Sequence, residues 1–227
     1  MAIRTSTEVI LASGSSLTRS TGSFPARITA ECKIHSVNGV FFSIVGILFD
    51  GDFVAQEVAE RQLKASRPLP ETIKAFDAEM EEKLPVVMAD PRRKGSPDYN
   101  NRIGKSVTEV IFAAMSGNTL LMYVRYYMSR LLPNGDIKVE AKGIACPGPD
   151  CAEGVKFAAT GEHRAIDASL GTDKDPWNPA TLVSRLHSNV QMEIDELPAQ
   201  VGGPITVLQI HRAGAHWIQP GNCNPAQ

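Results

Sequence analysis

Between Ile28 and Asp50 the sequence reads ITAECKIHSVNGVFFSIVGILFD, and this stretch limits the possible folds more than any other. Period two places Ile28, Ala30, Cys32 and Ile34 on one face and Thr29, Glu31, Lys33 and His35 on the other. That alternation predicts a strand over about 26–37 with one polar face. Asn38-Gly39 accepts the positive φ values of a type I′ turn, so the chain reverses there. The run VFFSIVGI that follows is apolar on both faces, the pattern of a strand covered on both sides. Such a strand needs one layer above it and another below.

The remaining sequence supplies those layers. EVILASGS reads as a strand, and the Ser, Thr and Gly residues over 13–22 as an exposed loop. Asp50 or Asp52 can cap a helix over about 53–66. Pro70 suits the first turn of a second helix, whose apolar stripe is Ile73, Phe76, Met80 and Leu84. Residues 89–104 read as a long loop, with either mobility or a contact role. Strands resume with SVTEVIFAAMS, a Gly117-Asn118 turn, TLLMYVRYYMS, DIKVEAKGIAC and VKFAAT. Asn178-Pro179 starts a further helix with Leu182, Val183, Leu186, Val190 and Ile194 as its buried stripe. Gly202-Gly203 leads into a strand and not a helix, which makes it a tight turn and not a phosphate loop. The final hairpin is ITVLQIH, a turn at Ala213-Gly214, and AHWI.

Strand hairpins, a helix pair, more hairpins, a late helix and a last hairpin give no regular βαβ alternation, which argues against a doubly wound parallel sheet. The order predicts an α+β fold of two antiparallel sheets packed face to face and flanked by helices. Residues 1–227 are read as one domain, with a first strand reduced to Met1–Arg4 and a short tail from about 219.

A formal net charge of -2 gives no reason to expect nucleic acid or an anionic membrane as partner. The basic run Pro91-Arg92-Arg93-Lys94 reads as a solvated loop. Four cysteines are too few for a disulfide scaffold at this length. Cys146 and Cys151 bracket a Pro-Gly-Pro-Asp turn and are read as two free thiols or one local disulfide, and Cys32 as a small core residue. His35, His163, His187, His211 and His216 show no metal-site spacing, and no cofactor is implied. No run of about eighteen apolar residues and no signal segment is evident, so a soluble, cytoplasmic protein is expected.

EVILASGSS, the Ser/Thr/Gly loop, ARITAECKIHSVNGVFFSIVGILFD, and later KSVTEVIFAAM, AATGE and VGGPITVLQIHRAGAHWI together resemble proteasome-type subunits of the N-terminal nucleophile hydrolase superfamily, bacterial proteasome-like proteins in particular. The resemblance spans about 8–218. It implies a four-layer αββα sandwich and amide or peptide bond hydrolysis. In that chemistry a Thr, Ser or Cys begins the mature chain and its own α-amino group serves as base. Lys33 corresponds to the lysine that favours the deprotonated nucleophile, and Gly46 to the glycine whose N–H holds the oxyanion. Two departures stand out. Ser13-Gly14-Ser15 replaces the acid expected after the second strand, and the nucleophile's position falls a few residues before Met1. The nucleophile then lies upstream of Met1, or at Thr5 after processing, or is absent from a non-catalytic scaffold or shell subunit. Under each reading the resemblance implies a homo-oligomer joined through its helical layers, with a peptide or small amide as the possible substrate.

Overall fold

The computed structural model describes residues 1–19, 27–50, 52–90, 102–149, 151, 155–161, 163, 165–167, 178–198 and 201–223. Two five-stranded antiparallel sheets form its middle. In the first, the order is β12 (Lys156–Ala158), β1 (Ala2–Arg4), β2 (Glu8–Ser13), β13 (Thr206–His211) and β14 (Gly214–Gln219). In the second it is β11 (Ile137–Cys146), β10 (Thr119–Leu131), β9 (Ser106–Ser116), β6 (Val40–Gly46) and β5 (His35–Val37). Helices α1 (Ala55–Lys64) and α2 (Leu69–Met88) cover the second sheet, and α3 (Leu182–Glu196) covers the first. The result is the α+β, four-layer αββα sandwich expected from the sequence.

Alternation along each strand sorts side chains between layers. From β9, Ile111 and Ala113 enter the core between the sheets, while Val110 and Phe112 face the helices. From β2, Val9 and Leu11 face the other sheet, and Ile10 and Ala12 face α3. On the helix side Phe76 meets the ring edges of Phe112 at 5.3 Å and Tyr127 at 5.9 Å. Each fully buried side chain of this size contributes about 1.5–3 kcal/mol. Burial on both faces is why these strands are apolar throughout. The hairpin turn forms as its sequence requires, with φ of 52° at Asn38 and 75° at Gly39.

Several local expectations need correction. The strand over 26–37 is two strands: β4 (Arg27–Ala30) pairs with β3 (Ser16–Arg19), inside the stretch read as a loop, and β5 pairs with β6. Between them, Glu31 to Ile34 has no strand pairing, because the chain changes partners there. Neither Asp50 nor Asp52 caps α1. A small hairpin of β7 (Phe49–Asp50) and β8 (Phe53–Val54) precedes the helix, and Val54 occupies the cap position without a side-chain bond. Asn178 does cap, accepting from the Ala180 N–H at 3.0 Å, but onto a 3-10 turn, Pro179–Thr181, that leads into α3. The basic run 91–94 and most of the loop read over 89–104 lie outside the described residues.

All four cysteines are paired: Cys146 with Cys151, and Cys32 with Cys223 across a sequence separation of 191. The local pair was one of two readings of the turn. The other pair corrects Cys32, which is not a lone core thiol. Its partner lies in the tail, where Thr206 Oγ1 donates to Pro220 O and Cys223 N–H donates back to Pro220 O.

Candidate functional site

One end of the space between the sheets gathers the polar groups. The start of β1 lies there, since Met1 pairs through its backbone with Ala12: the Met1 α-amino group donates to Ala12 O at 2.9 Å, and Ala12 N–H donates to Met1 O at 3.0 Å. Beside it runs the segment between β4 and β5, which contains Lys33. Three ties hold that segment: Glu31 N–H on Ser15 O at 2.8 Å, the Cys32–Cys223 disulfide, and Ile34 buried in the inter-sheet core. Lys33 is half-buried and sits close enough to the α-amino group for its charge to act on it.

Electrostatics at this end are specific. Burial first, then the Lys33 charge, pulls the α-amino group down to about 5, with Glu109 opposing. An amine in that state is neutral at pH 7 and able to accept a proton. Burial also pushes the Lys33 ammonium below its ordinary range.

Gly46 ends β6 opposite Thr108. Its φ of +97° and the 2.3 Å that would separate a Cβ from Val107 O permit only glycine there. Immediately after it the chain leaves the ladder, with Ile47 N–H on Val107 O at 2.8 Å and Thr108 Oγ1 on Ile47 O at 3.0 Å. Lys33 lies two residues before β5, on the side where β6 runs toward Gly46, because β5 and β6 are antiparallel with His35 opposite Phe42. Lys33, Gly46 and the head of β1 therefore occupy the same end of the sandwich.

Glu109 was not singled out by sequence reasoning. It stands opposite Val45 on one side and Tyr126 on the other, on the same face of β9 as Ile111 and Ala113. Its Oε2 accepts the Gly161 N–H at 2.8 Å. Tyr126, raised by burial and then by the Glu109 charge, completes that row. The one available signal was an acid inside an otherwise apolar strand, TEVIFAAM, which alternation aims at the inter-sheet space.

Thr5 is elsewhere. It forms the β1–β2 turn at the far end of β1, and its Oγ1 accepts from the N–H groups of Thr7 and Glu8, each at 3.1 Å. No acid follows β2, where Ser15 Oγ donates to Pro204 O.

No protein-family model and no curated protein matches the sequence. The structure is similar to that of a Gly-1 mutant of Anbu from Hyphomicrobium sp. strain MC1, with a TM-score of 0.50 and 11% identity, over 96% of this chain and 84% of that one. Identity that low carries the fold alone. Membership in the proteasome-type family, expected from the segments in the sequence, is therefore corrected: alternating strands and glycine turns recur in any sandwich of two sheets, and what the chain shares is the proteasome-like sandwich fold.

Proposed function

We propose that the cleft at this end of the sandwich hydrolyses amide or peptide bonds. The observation that carries the reading is convergence: the head of β1 lies with Lys33 and Gly46 at one end of the inter-sheet space. A hydroxyl or thiol at the head of β1 adds to the acyl carbon while the amine takes its proton. The amide nitrogen then leaves protonated, and water releases the acyl group. Lys33 favours the anionic nucleophile, and the Gly46 N–H stabilises the oxyanion. The Met1 thioether has no proton to lose and cannot attack, so this reading needs a nucleophile ahead of Met1, whose own α-amino group, and not that of Met1, then serves as the base. Thr5 is disfavoured, because its hydroxyl is engaged in the turn at the wrong end of β1.

The test uses natively produced protein whose first residue is fixed by intact mass. It turns over a fluorogenic peptide amide, and Lys33→Ala abolishes turnover. Retained activity in that variant removes Lys33 from the mechanism.

A second reading is a non-catalytic, self-assembling shell subunit. The missing acid after β2 and the exposed Val86 on α2, with 72% of its surface accessible, favour it. A multiple of the chain mass by light scattering, with no turnover, is its expected result. Among the described residues no helix is long and apolar enough to cross a membrane. A cytoplasmic location remains a proposal, and the paired cysteines weigh against it, since disulfides persist in oxidising compartments.

A further inference from the structure

The Glu109–Gly161 hydrogen bond ties the segment that follows β12 to strand β9, at the end of the sandwich that holds Gly46. Gly161 follows β12, the neighbour of β1 in the first sheet, whereas Glu109 belongs to β9, the neighbour of β6 in the second. At Gly161 the chain has crossed to the second sheet, because a Cβ there would stand 3.5 Å from a Val45 methyl group, one residue before Gly46. Its φ of +78° suits that crossing. The bond thus closes a short circuit: β1 pairs with β12, the chain runs on to Gly161, Glu109 holds Gly161, β9 pairs with β6, and β6 ends at Gly46. At the other end of β1 a different tie does the same work, Arg4 Nε donating to Leu120 O at 3.3 Å.

We propose that Glu109 is a positioning residue of the cleft, acting through its hydrogen bond to Gly161 to set the distance between the head of β1 and Gly46. The proposal rests on the hydrolytic reading above and adds to it a residue that touches neither substrate nor reacting atoms. Attack requires the nucleophile and the oxyanion donor to be placed together to within a fraction of an ångström, and misplacement by about 1 Å costs on the order of a hundredfold in rate. These two groups sit on different sheets. Toward Gly161 the carboxylate acts as an acceptor, so an amide oxygen of the same shape can replace it there, and rates are compared at each variant's pH optimum because Gln also removes the charge that acts on the neighbouring groups.

The experiment compares Glu109→Ala and Glu109→Gln with natively produced wild type on a fluorogenic peptide amide, and thermal melts verify folding. Glu109→Ala is expected to lower kcat by about tenfold to a hundredfold, leaving KM within about twofold, because substrate contacts survive while alignment is lost. Glu109→Gln retains an acceptor for Gly161 and is expected to stay within about threefold of wild-type kcat. An unchanged kcat in Glu109→Ala, a change confined to KM, or a Gln variant as impaired as the Ala variant overturns the proposal while leaving the hydrolytic reading in place. Absence of turnover by wild type overturns both. Since Gln is isosteric with Glu, a collapse of folding in the Ala variant leaves the Gln comparison to decide: a Gln kcat within threefold supports the acceptor role, and a tenfold loss refutes it.

Discussion

Removing the Cys32–Cys223 disulfide by the double substitution Cys32→Ala/Cys223→Ala tests how the tail and the Lys33 segment are held. The bond joins residues 191 apart, so in the unfolded chain it closes nearly the whole sequence into one loop. Chain-entropy reasoning gives about 5 kcal/mol for a loop of that length. The Cys146–Cys151 bond spans only 5 residues in sequence and on the same argument contributes about 2 kcal/mol. Folded-state consequences add to the first figure, since Cys223 is buried and Glu31 to Ile34 has no strand pairing to replace the tie. For a chain of this size the two losses correspond to falls in Tm of about 10–20 °C and 4–8 °C. Urea unfolding followed by circular dichroism, on wild type and on each double-alanine variant, measures both, and a non-reducing peptide map establishes the pairing first. The reasoning fails if removing the long-range bond costs no more than removing the local one, or if the map finds Cys32 unpaired from Cys223.

Two further predictions concern α2, one where it meets the second sheet and one where it meets α1. Asp77 on α2 accepts from Arg125 Nε at 3.0 Å, Arg125 Nη2 at 2.5 Å and Tyr127 Oη at 2.7 Å. Asp77→Ala leaves a largely buried guanidinium without its partner and is expected to cost about 3 kcal/mol in urea unfolding. At Glu79, burial alone would raise the carboxyl, but hydrogen bonds from Lys83, Arg61 and Gln62 outweigh it and hold the pKa down at about 2. A depressed acid contributes stability that is complete above its unfolded value, 4.5, and is lost as pH falls toward 2. The urea midpoint of wild type should therefore fall more steeply between pH 4.5 and 2 than that of Glu79→Gln, and parallel pH profiles would refute the assignment.

What the sequence disclosed follows from what is periodic in burial. VFFSIVGI is apolar on both faces because Phe42 and Ile44 pack toward the helices while Phe41 packs toward the other sheet, so each residue reports its own layer. Alternation could not report the break after Ala30. Ile34 continues the sequence alternation of the preceding apolar positions, yet the backbone has exchanged β3 for β6 as its partner, and a side-chain pattern carries no record of which strand supplies the hydrogen bonds. The disulfide that holds the break was hidden for the same reason, its second cysteine being 191 residues away. Lys33 and Gly46 were singled out only through a resemblance in order and spacing that does not extend to family membership, and Gly46 acquires a physical reason of its own in the structure: a backbone that admits no Cβ. Glu109 had neither aid. Its part in the cleft is fixed by a glycine that arrives from the other sheet 52 residues later, so locally it is one acid interrupting an apolar strand. A pattern confined to one strand records only which layer a residue faces. The groups at the mouth of this cleft come from both sheets and from a partner-switching segment, and their meeting depends on the sheets closing face to face at a fixed spacing. For that reason the Glu109–Gly161 contact, a bond from the segment after β12 to β9, carries information about the site that no stretch of the sequence contains by itself.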